Sequence, residues 1–310
     1  MNRPVPRVLA VLDAPSNLGL RPPAEGVVPG VYKLPGALRD RRLLRRLGAR
    51  DAGVVVPPRY LPDWDGHATR NAAAVAEYAA RLATRIGGLW DAEAFPVVLG
   101  GDCSILLGGL LALRRRPVAG GRAGLVFLDA HTDFRHRGNS SAVQAVAGED
   151  LAVACGLADP VLADLEGLGP LVDPRDVVVV GVRPQDEDLA EVRGLGAHVL
   201  DSVEVTARGA TAVAADVLRH LEERAVNRFW IHVDADVLDP QVLPAVDSPA
   251  PGGPSPATVA AVLRVLAAAP AAAGLELTVF DPDLDPGGEQ AELLAGILVN
   301  ALGGLPPAGG

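Results

Sequence analysis

Gly124-Leu125-Val126-Phe127-Leu128-Asp129-Ala130-His131-Thr132-Asp133 is a short apolar run that stops abruptly at a cluster of carboxylates and an imidazole. An apolar stretch of this length, without polar alternation, predicts a strand buried on both faces, as in a parallel sheet covered by helices. Open parallel sheets bind ligands beyond the carboxyl ends of their strands. The same ten residues therefore predict both a fold class and a site. If the extended conformation persists beyond Leu128, residues 129, 131 and 133 share one side of the chain. Two carboxylates and a histidine converging there would form an oxygen- and nitrogen-rich metal shell. The competing reading is a solvated strand end.

Similar runs lie on either side. Strands are expected at Arg7–Leu12, Gly53–Val56, Pro96–Leu99, Ala123–Leu128, Asp176–Val182, Ala197–Leu200, Arg228–Val233 and Gly274–Phe280. Between them, helical periodicity covers Leu38–Leu47, Arg70–Leu89, Ser104–Arg115, Asp186–Leu195, Ala210–Arg224, Pro256–Ala268 and Glu289–Leu302. Regular alternation predicts an α/β fold: a three-layer αβα sandwich around a mostly parallel sheet of about eight strands. With no repeat and no long linker, residues 1–310 read as one domain, residues 303–310 being a tail expected to fray.

Composition narrows the function classes. A net charge of −10 argues against nucleic acid or a membrane surface as partner, since both require a basic footprint. No apolar run is long enough to cross a bilayer. Two cysteines, Cys103 and Cys155, make no disulfide framework, which fits a reducing cytoplasm. The arginines between Leu38 and Leu47 read as a solvated helix face around a leucine stripe.

Two further stretches repeat the strand-then-acid pattern. Phe229-Trp230-Ile231-His232-Val233 leads into Asp234-Ala235-Asp236, and the strand ending at Leu99 leads into Gly100-Gly101-Asp102-Cys103-Ser104. Carboxylates crowded at a buried edge raise each other's pKa and require compensating cations. Asp239-Pro240 reads as a turn closing the second motif. His232 reads as structural, facing away from the acids. In the third motif the glycines permit close backbone approach, and Ser104 is placed to cap the next helix.

In this order and spacing, the three motifs resemble the signatures of the arginase–agmatinase (ureohydrolase) family, and the resemblance covers nearly the whole chain. It implies a hydrolase in which a hydroxide shared by two manganese ions attacks the sp² carbon of a guanidinium or other linear amidine, releasing urea or a urea-like product. Paired divalent cations make bound water acidic enough for that chemistry. The resemblance implies Asp129 and Asp234 as bridging ligands, Asp133 with the first ion, and His131 and Asp236 with the second. Asp133 is also the expected proton relay. A small guanidino or amidino substrate and a homo-oligomer, trimer or hexamer, are implied as partners.

The departures from the family pattern concern the first ion and the substrate. Cys103 stands where the family has a metal-binding histidine. As a ligand it would favour Zn²⁺ or Fe²⁺ over Mn²⁺; as a small apolar residue it would leave the first ion under-coordinated. Gly138-Asn139 matches a family loop, but Ser141 occupies the place of its proton-shuttling histidine. His136, close by, is suited to replace it as acid–base catalyst, or else is a solvent-facing loop residue. Arg135 and Arg137 offer forked donors for a substrate carboxylate, assisted by Asn139 and Ser141. Asp186 matches a position that contacts the substrate's amino end, and Ser248 a hydroxyl-bearing pocket residue. Val279 aligns with the acidic residue that grips the guanidinium in arginases, and none of Glu276, Asp281 or Asp283 is in register to replace it. This shifts the expectation away from an unmodified guanidinium and towards a modified one (hydroxylated, acylated or carbamoylated) or a formimino group. A one-metal formimino- or acylamino-amidohydrolase, and a catalytically silent protein of this fold, remain the alternatives.

Overall fold

Eight strands, most of them short runs rich in valine, leucine and isoleucine, form in the computed structural model, which describes residues 8–64, 66–117, 119–141 and 143–303. Arg7 of the first expected strand and residues 304–310 of the expected tail lie outside the described residues. The order along the chain is β1 (Val8–Ala14), α1 (Leu34–Asp40), α2 (Leu43–Leu47), β2 (Arg50–Val54), α3 (Ala72–Asp91), β3 (Ala94–Gly100), α4 (Leu106–Arg114), β4 (Arg122–Leu128), α5 (Asp150–Ala154) and α6 (Pro160–Ala163). It continues through β5 (Val177–Val180), α7 (Leu189–Gly194), β6 (His198–Leu200), α8 (Ser202–Glu223), β7 (Val226–Asp234), α9 (Pro256–Ala268), β8 (Ala272–Thr278) and α10 (Glu289–Leu302).

All strand pairings are parallel, in the order β2-β1-β3-β8-β7-β4-β5-β6. The sheet divides the interior into two cores. Val126, Leu128, Phe229, Ile231 and Val233 point to the side packed by α1, α2, α8, α9 and α10. Leu125, Phe127, Val177, Val179 and Trp230 point to the side packed by α3 to α7. Strand side chains alternate, so burial on both faces requires apolar residues at every position, which is what these runs contain.

The connections position the site. Successive strands β3 and β4 are not neighbours; β8 and β7 fill the gap between them. Ligand crevices form where strand order switches in this way, beyond the carboxyl ends. The four central strands end at Gly100, Thr278, Asp234 and Leu128, and each motif picked out above leaves one of these ends.

Helices α5, α6 and the first turns of α8 form where no helix was expected, and local structure departs from expectation in two further places. The helix expected over Leu38–Leu47 is broken at Arg42, which adopts the left-handed conformation (φ 57°). Its arginines are also more engaged than a solvated face would require: Arg39 donates to Asp13 at 2.7 Å and to Asp51 at 2.9 Å, tying α1 to β1 and β2, and Arg46 donates to Glu292 of α10 at 2.9 Å. At the β3 exit Asp102, not Ser104, is the cap. Its Oδ1 accepts from Ser104 N at 2.8 Å and its Oδ2 from Ser16 Oγ at 2.6 Å. Gly101 is required here, since a Cβ would stand 1.6 Å from the Ser16 carbonyl oxygen.

Trp230 fills the space between sheet and α4 and is fully buried. Its neighbour in register on β8 is Gly274, where a Cβ would lie 2.2 Å from the indole. Gly274→Ala therefore overpacks the core and should destabilise the protein by about 1–3 kcal/mol. Urea unfolding should show a lower midpoint with unchanged m-value; an unchanged midpoint would mean the indole has room to shift.

Candidate metal centre

The extended conformation does not continue past Leu128. Asp129 Oδ1 accepts from the main-chain N–H of His131 at 2.7 Å, which folds the chain into a turn, and Asp133 has φ 44°. The second motif uses the same device: Asp234 Oδ1 accepts from Asp236 N at 2.8 Å and starts a 3₁₀ turn over Ala235–Val237. Aspartate makes such turns readily because its carboxylate reaches the amide two residues on. Convergence is achieved by these turns and not by strand alternation.

The turns bring Asp129, His131 and Asp236 together, with one potential donor atom from each within 4.8 Å of the others. His131 Nδ1 is 3.1 Å from Asp236 Oδ2, and Asp236 Oδ1 accepts from Ala130 N at 3.2 Å. Asp129 Oδ2 is buried with no hydrogen-bond partner. A buried orphan oxygen carries a full desolvation penalty, which a cation would remove. Asp234 Oδ2 accepts from the Cys103 thiol at 2.8 Å, and Cys103 Sγ lies 3.4 Å from Thr278 Oγ1. Asp133 adjoins these groups without entering a donor cluster.

Burial, and then the neighbouring carboxylates, push Asp129 and Asp234 well above the ordinary aspartate range. Burial pushes Asp133 up to about 8, with Asp236 and Asp186 adding to the rise and His131 opposing it. For His131, burial favours the neutral ring, but the bond to Asp236 and the surrounding carboxylates outweigh it and raise the pKa to about 9. These groups hold protons that a metal ion would replace. The carboxylate and imidazole donors suit hard or intermediate divalent ions.

His232 does not face away. Its ring is fully buried and stacked on Phe127 at 4.7 Å, and it lies within 4.8 Å of donor atoms on Asp129 and Asp234. Residues 232 and 234 are two apart on one strand and so share a face. Its Nδ1 is 2.7 Å from Glu276 Oε1 on β8.

The centre opens into a cavity of about 510 Å³ through His131, Asp133, Asp234 and Asp236. Arg135, Asp186, Ser248 and Val279 line it, together with Glu149, Glu187, Asp188 and Asp247. Asp186 is pinned by Thr132, whose Oγ1 donates to it at 2.7 Å, and Ser248 donates to Asp247 at 3.2 Å. Arg135 donates to Glu187 at 2.8 Å.

Apart from the buried Cys103 and Asp129, four expected site residues, all meant to bind substrate or move its protons, do not line this cavity. His136 has both ring nitrogens occupied: Nδ1 accepts from Gly138 N at 3.1 Å and Nε2 is 3.0 Å from Glu191. Asn139 staples the loop, donating to the Phe134 carbonyl at 3.0 Å and to Glu191 at 2.9 Å. Arg137 pairs with Asp159 at 3.2 Å and with the His67 carbonyl. Ser141 is exposed. Acids on α7 and ahead of α6 hold this loop outward, and nothing in the local sequence announces those partners.

Sequence reasoning missed Glu149, Asp150 and Arg183. Gly148-Glu149-Asp150 ahead of an apolar stretch reads as ordinary acid enrichment at a helix start. Glu149 is nevertheless buried at the cavity wall, and burial raises its pKa to about 6. Arg183 is buried behind the centre and donates to the carbonyls of Gly181 and Ala250, each at 2.7 Å, clamping the loop after Asp236.

Comparison with known proteins bears on the family and the fold. An arginase from Bacillus caldovelox is 30% identical over 235 residues, covering 76% of this chain and 77% of that protein. An N(omega)-hydroxy-L-arginine amidinohydrolase from Streptomyces lavendulae is 31% identical over 206 residues, 66% of each chain. The solved arginase of Bacillus caldovelox superposes with a TM-score of 0.84 at 28% identity, covering 96% of this chain and 98% of that one. That of Bacillus cereus gives 0.83 at 26% identity, with 96% and 99% covered. A model of the Arginase family matches residues 28–303, and the chain belongs to that family.

Proposed function

We propose that this protein hydrolyses a C–N bond of a linear, cationic amidine at a pair of divalent ions held by Asp129, His131, Asp133, Asp234 and Asp236. The observation that carries this reading is the gathering of Asp129, His131 and Asp236 donor atoms within 4.8 Å beside an acid-lined cavity. Manganese fits the carboxylate-rich donors. When bound, two such ions make a water acidic enough to supply hydroxide near neutral pH.

The chain's own groups would manage protons and position substrate. Asp133, beside the ions, would take the attacking water's proton on its carboxylate and return it to the departing amine. Glu149, at about 6 on the cavity wall, is a second acid within the cavity. Asp186, Glu187 and Asp188 attract a positively charged amino or amidine group. Arg135 could release Glu187 for a substrate carboxylate, favouring guanidino acids bearing an α-amino group. The named activities of the curated relatives, arginase and N-hydroxyarginine amidinohydrolase, fall in this class.

The direct test is urea release by metal-loaded protein offered arginine, N-hydroxyarginine, agmatine, guanidinobutyrate and guanidinopropionate. Urea from at least one is expected, and Asp133→Asn should lower kcat by about 10²–10⁴-fold. Full activity in that variant would remove Asp133 from the mechanism.

Val279 lines the cavity at φ 66°, a conformation unfavourable for a β-branched side chain. Val279→Glu should lose no stability on that account and gains an acid facing the cavity. We expect kcat/KM for unmodified guanidino compounds to rise at least about tenfold relative to N-hydroxylated ones, a difference of about 1.4 kcal/mol. An unchanged ratio would mean that position 279 does not read the amidine.

Metal loading should depend on pH. Since ions displace protons from Asp133 and His131, affinity should climb as pH rises towards about 8 and 9, by up to roughly tenfold per unit for each proton released. Titration calorimetry in buffers of different ionisation enthalpy reads the proton count. Affinity that stays flat over this interval would take both residues out of the ligand set.

A further inference from the structure

A second group of donors includes two residues to which the mechanism above gives no role. Cys103 Sγ, a carboxylate oxygen of Asp150 and a ring nitrogen of His232 lie within 4.8 Å of one another. They come from the turn after β3, the start of α5 and the body of β7, and all three residues are at most 1% exposed. Neither carboxylate oxygen of Asp150 has a hydrogen-bond partner, and both are buried. Nδ1 of His232 is held by Glu276, leaving Nε2 buried and without a partner. An imidazole oriented by a carboxylate on one nitrogen and open at the other is how proteins present a metal-binding histidine. An isolated buried carboxylate is among the least favourable groups a core can hold without a cation or a proton.

We propose that Cys103, Asp150 and His232 hold a zinc-class ion, forming the soft half of a mixed centre whose hard half is Asp129, His131 and Asp236. Thiolate, imidazole and carboxylate together favour zinc or iron over manganese. Tetrahedral zinc, with bonds of about 2.0–2.3 Å, sets neighbouring donors roughly 3.3–3.8 Å apart, a modest contraction of the observed cluster. Binding replaces the Cys103 thiol proton, which is lost to solvent, by a sulfur–metal bond. Asp234, 2.8 Å from Cys103 Sγ, then links the two halves. The inference rests on the metal-binding part of the reading above and is independent of the substrate.

The test is metal analysis of the full chain, stripped with chelator and reloaded with zinc, manganese or cobalt(II). Wild-type protein should retain one equivalent of zinc against excess manganese, and the cobalt form should show thiolate-to-cobalt charge transfer in the near ultraviolet. Asp150→Asn and His232→Gln should lose that equivalent and keep the other. Cys103→His should keep the ion and lose the band, and His131→Ala should keep the band. Two manganese ions with no preference for zinc, no thiolate band in wild type, or unaltered zinc retention in Asp150→Asn would each overturn the proposal, leaving the three residues as a hydrogen-bonded cluster. Should a variant fail to fold, judged by circular dichroism, the wild-type cobalt spectrum still decides. Two ions bound with neither Asp150 nor His232 needed sink this inference alone; a single ion or none sinks the two-ion hydrolase reading as well.

Discussion

Asp129, Asp133, Asp150, Asp234 and Asp236 share one small, poorly hydrated region, and their mutual repulsion is the constraint around which the molecule is organised. Burial and neighbouring carboxylates together hold Asp129, Asp133, Asp150 and Asp234 well above the ordinary range, so without compensation they retain protons. Main-chain amides relieve part of this: His131 N donates to Asp129 and Asp236 N to Asp234. The buried guanidinium of Arg183, which could have neutralised a carboxylate, instead donates to main-chain carbonyls. Charge is left for mobile cations to balance. That is the condition under which a protein binds divalent ions and releases protons in doing so.

The fold makes such crowding tolerable. The inner parallel strands, buried on both faces, need few polar side chains along their length, so polar residues concentrate at their ends, whereas the edge strand β2 is exposed and carries Arg50 and Asp51. Because β7 and β8 enter the sheet last and fill the gap between β3 and β4, four strand ends from distant parts of the chain meet at one edge. Paired apolar cores on either side hold those ends in place. The stability of the two cores offsets the electrostatic strain between them.

Much of this was legible in the sequence. All eight strands were expected, with Gly53–Val56 displaced by a few residues, because unbroken apolar runs can be satisfied only in a doubly covered sheet. Asp129, His131 and Asp236, whose donor atoms the fold gathers, stand out in the sequence by their position after such runs. What failed was inference about where loop side chains point. His136, Arg137 and Asn139 lie near the centre in sequence, yet Asp159 and Glu191, from other segments, hold them outward. Asp150 escaped notice, and Glu276 was weighed only as a replacement for the acid at position 279, for the opposite reason: each looks like a routine charge until its burial is known. Burial of an isolated acid depends on tertiary packing and leaves no local signal.

The two departures from the family pattern, Cys103 and Val279, are mechanically connected. Val279 stays at φ 66°, which a β-branched residue adopts only if its surroundings over-determine it. They do so here: its amide donates to the Gly101 carbonyl at 2.7 Å, and Phe280 bridges to Val246 on the next loop. Gly101 opens the same turn that carries Cys103, and Cys103 contacts Thr278, the residue before Val279. The cavity wall at position 279 and the thiol at position 103 are thus parts of one rigid junction between the exits of β3 and β8. A change of donor at the centre and a change of wall beside it need not be independent events.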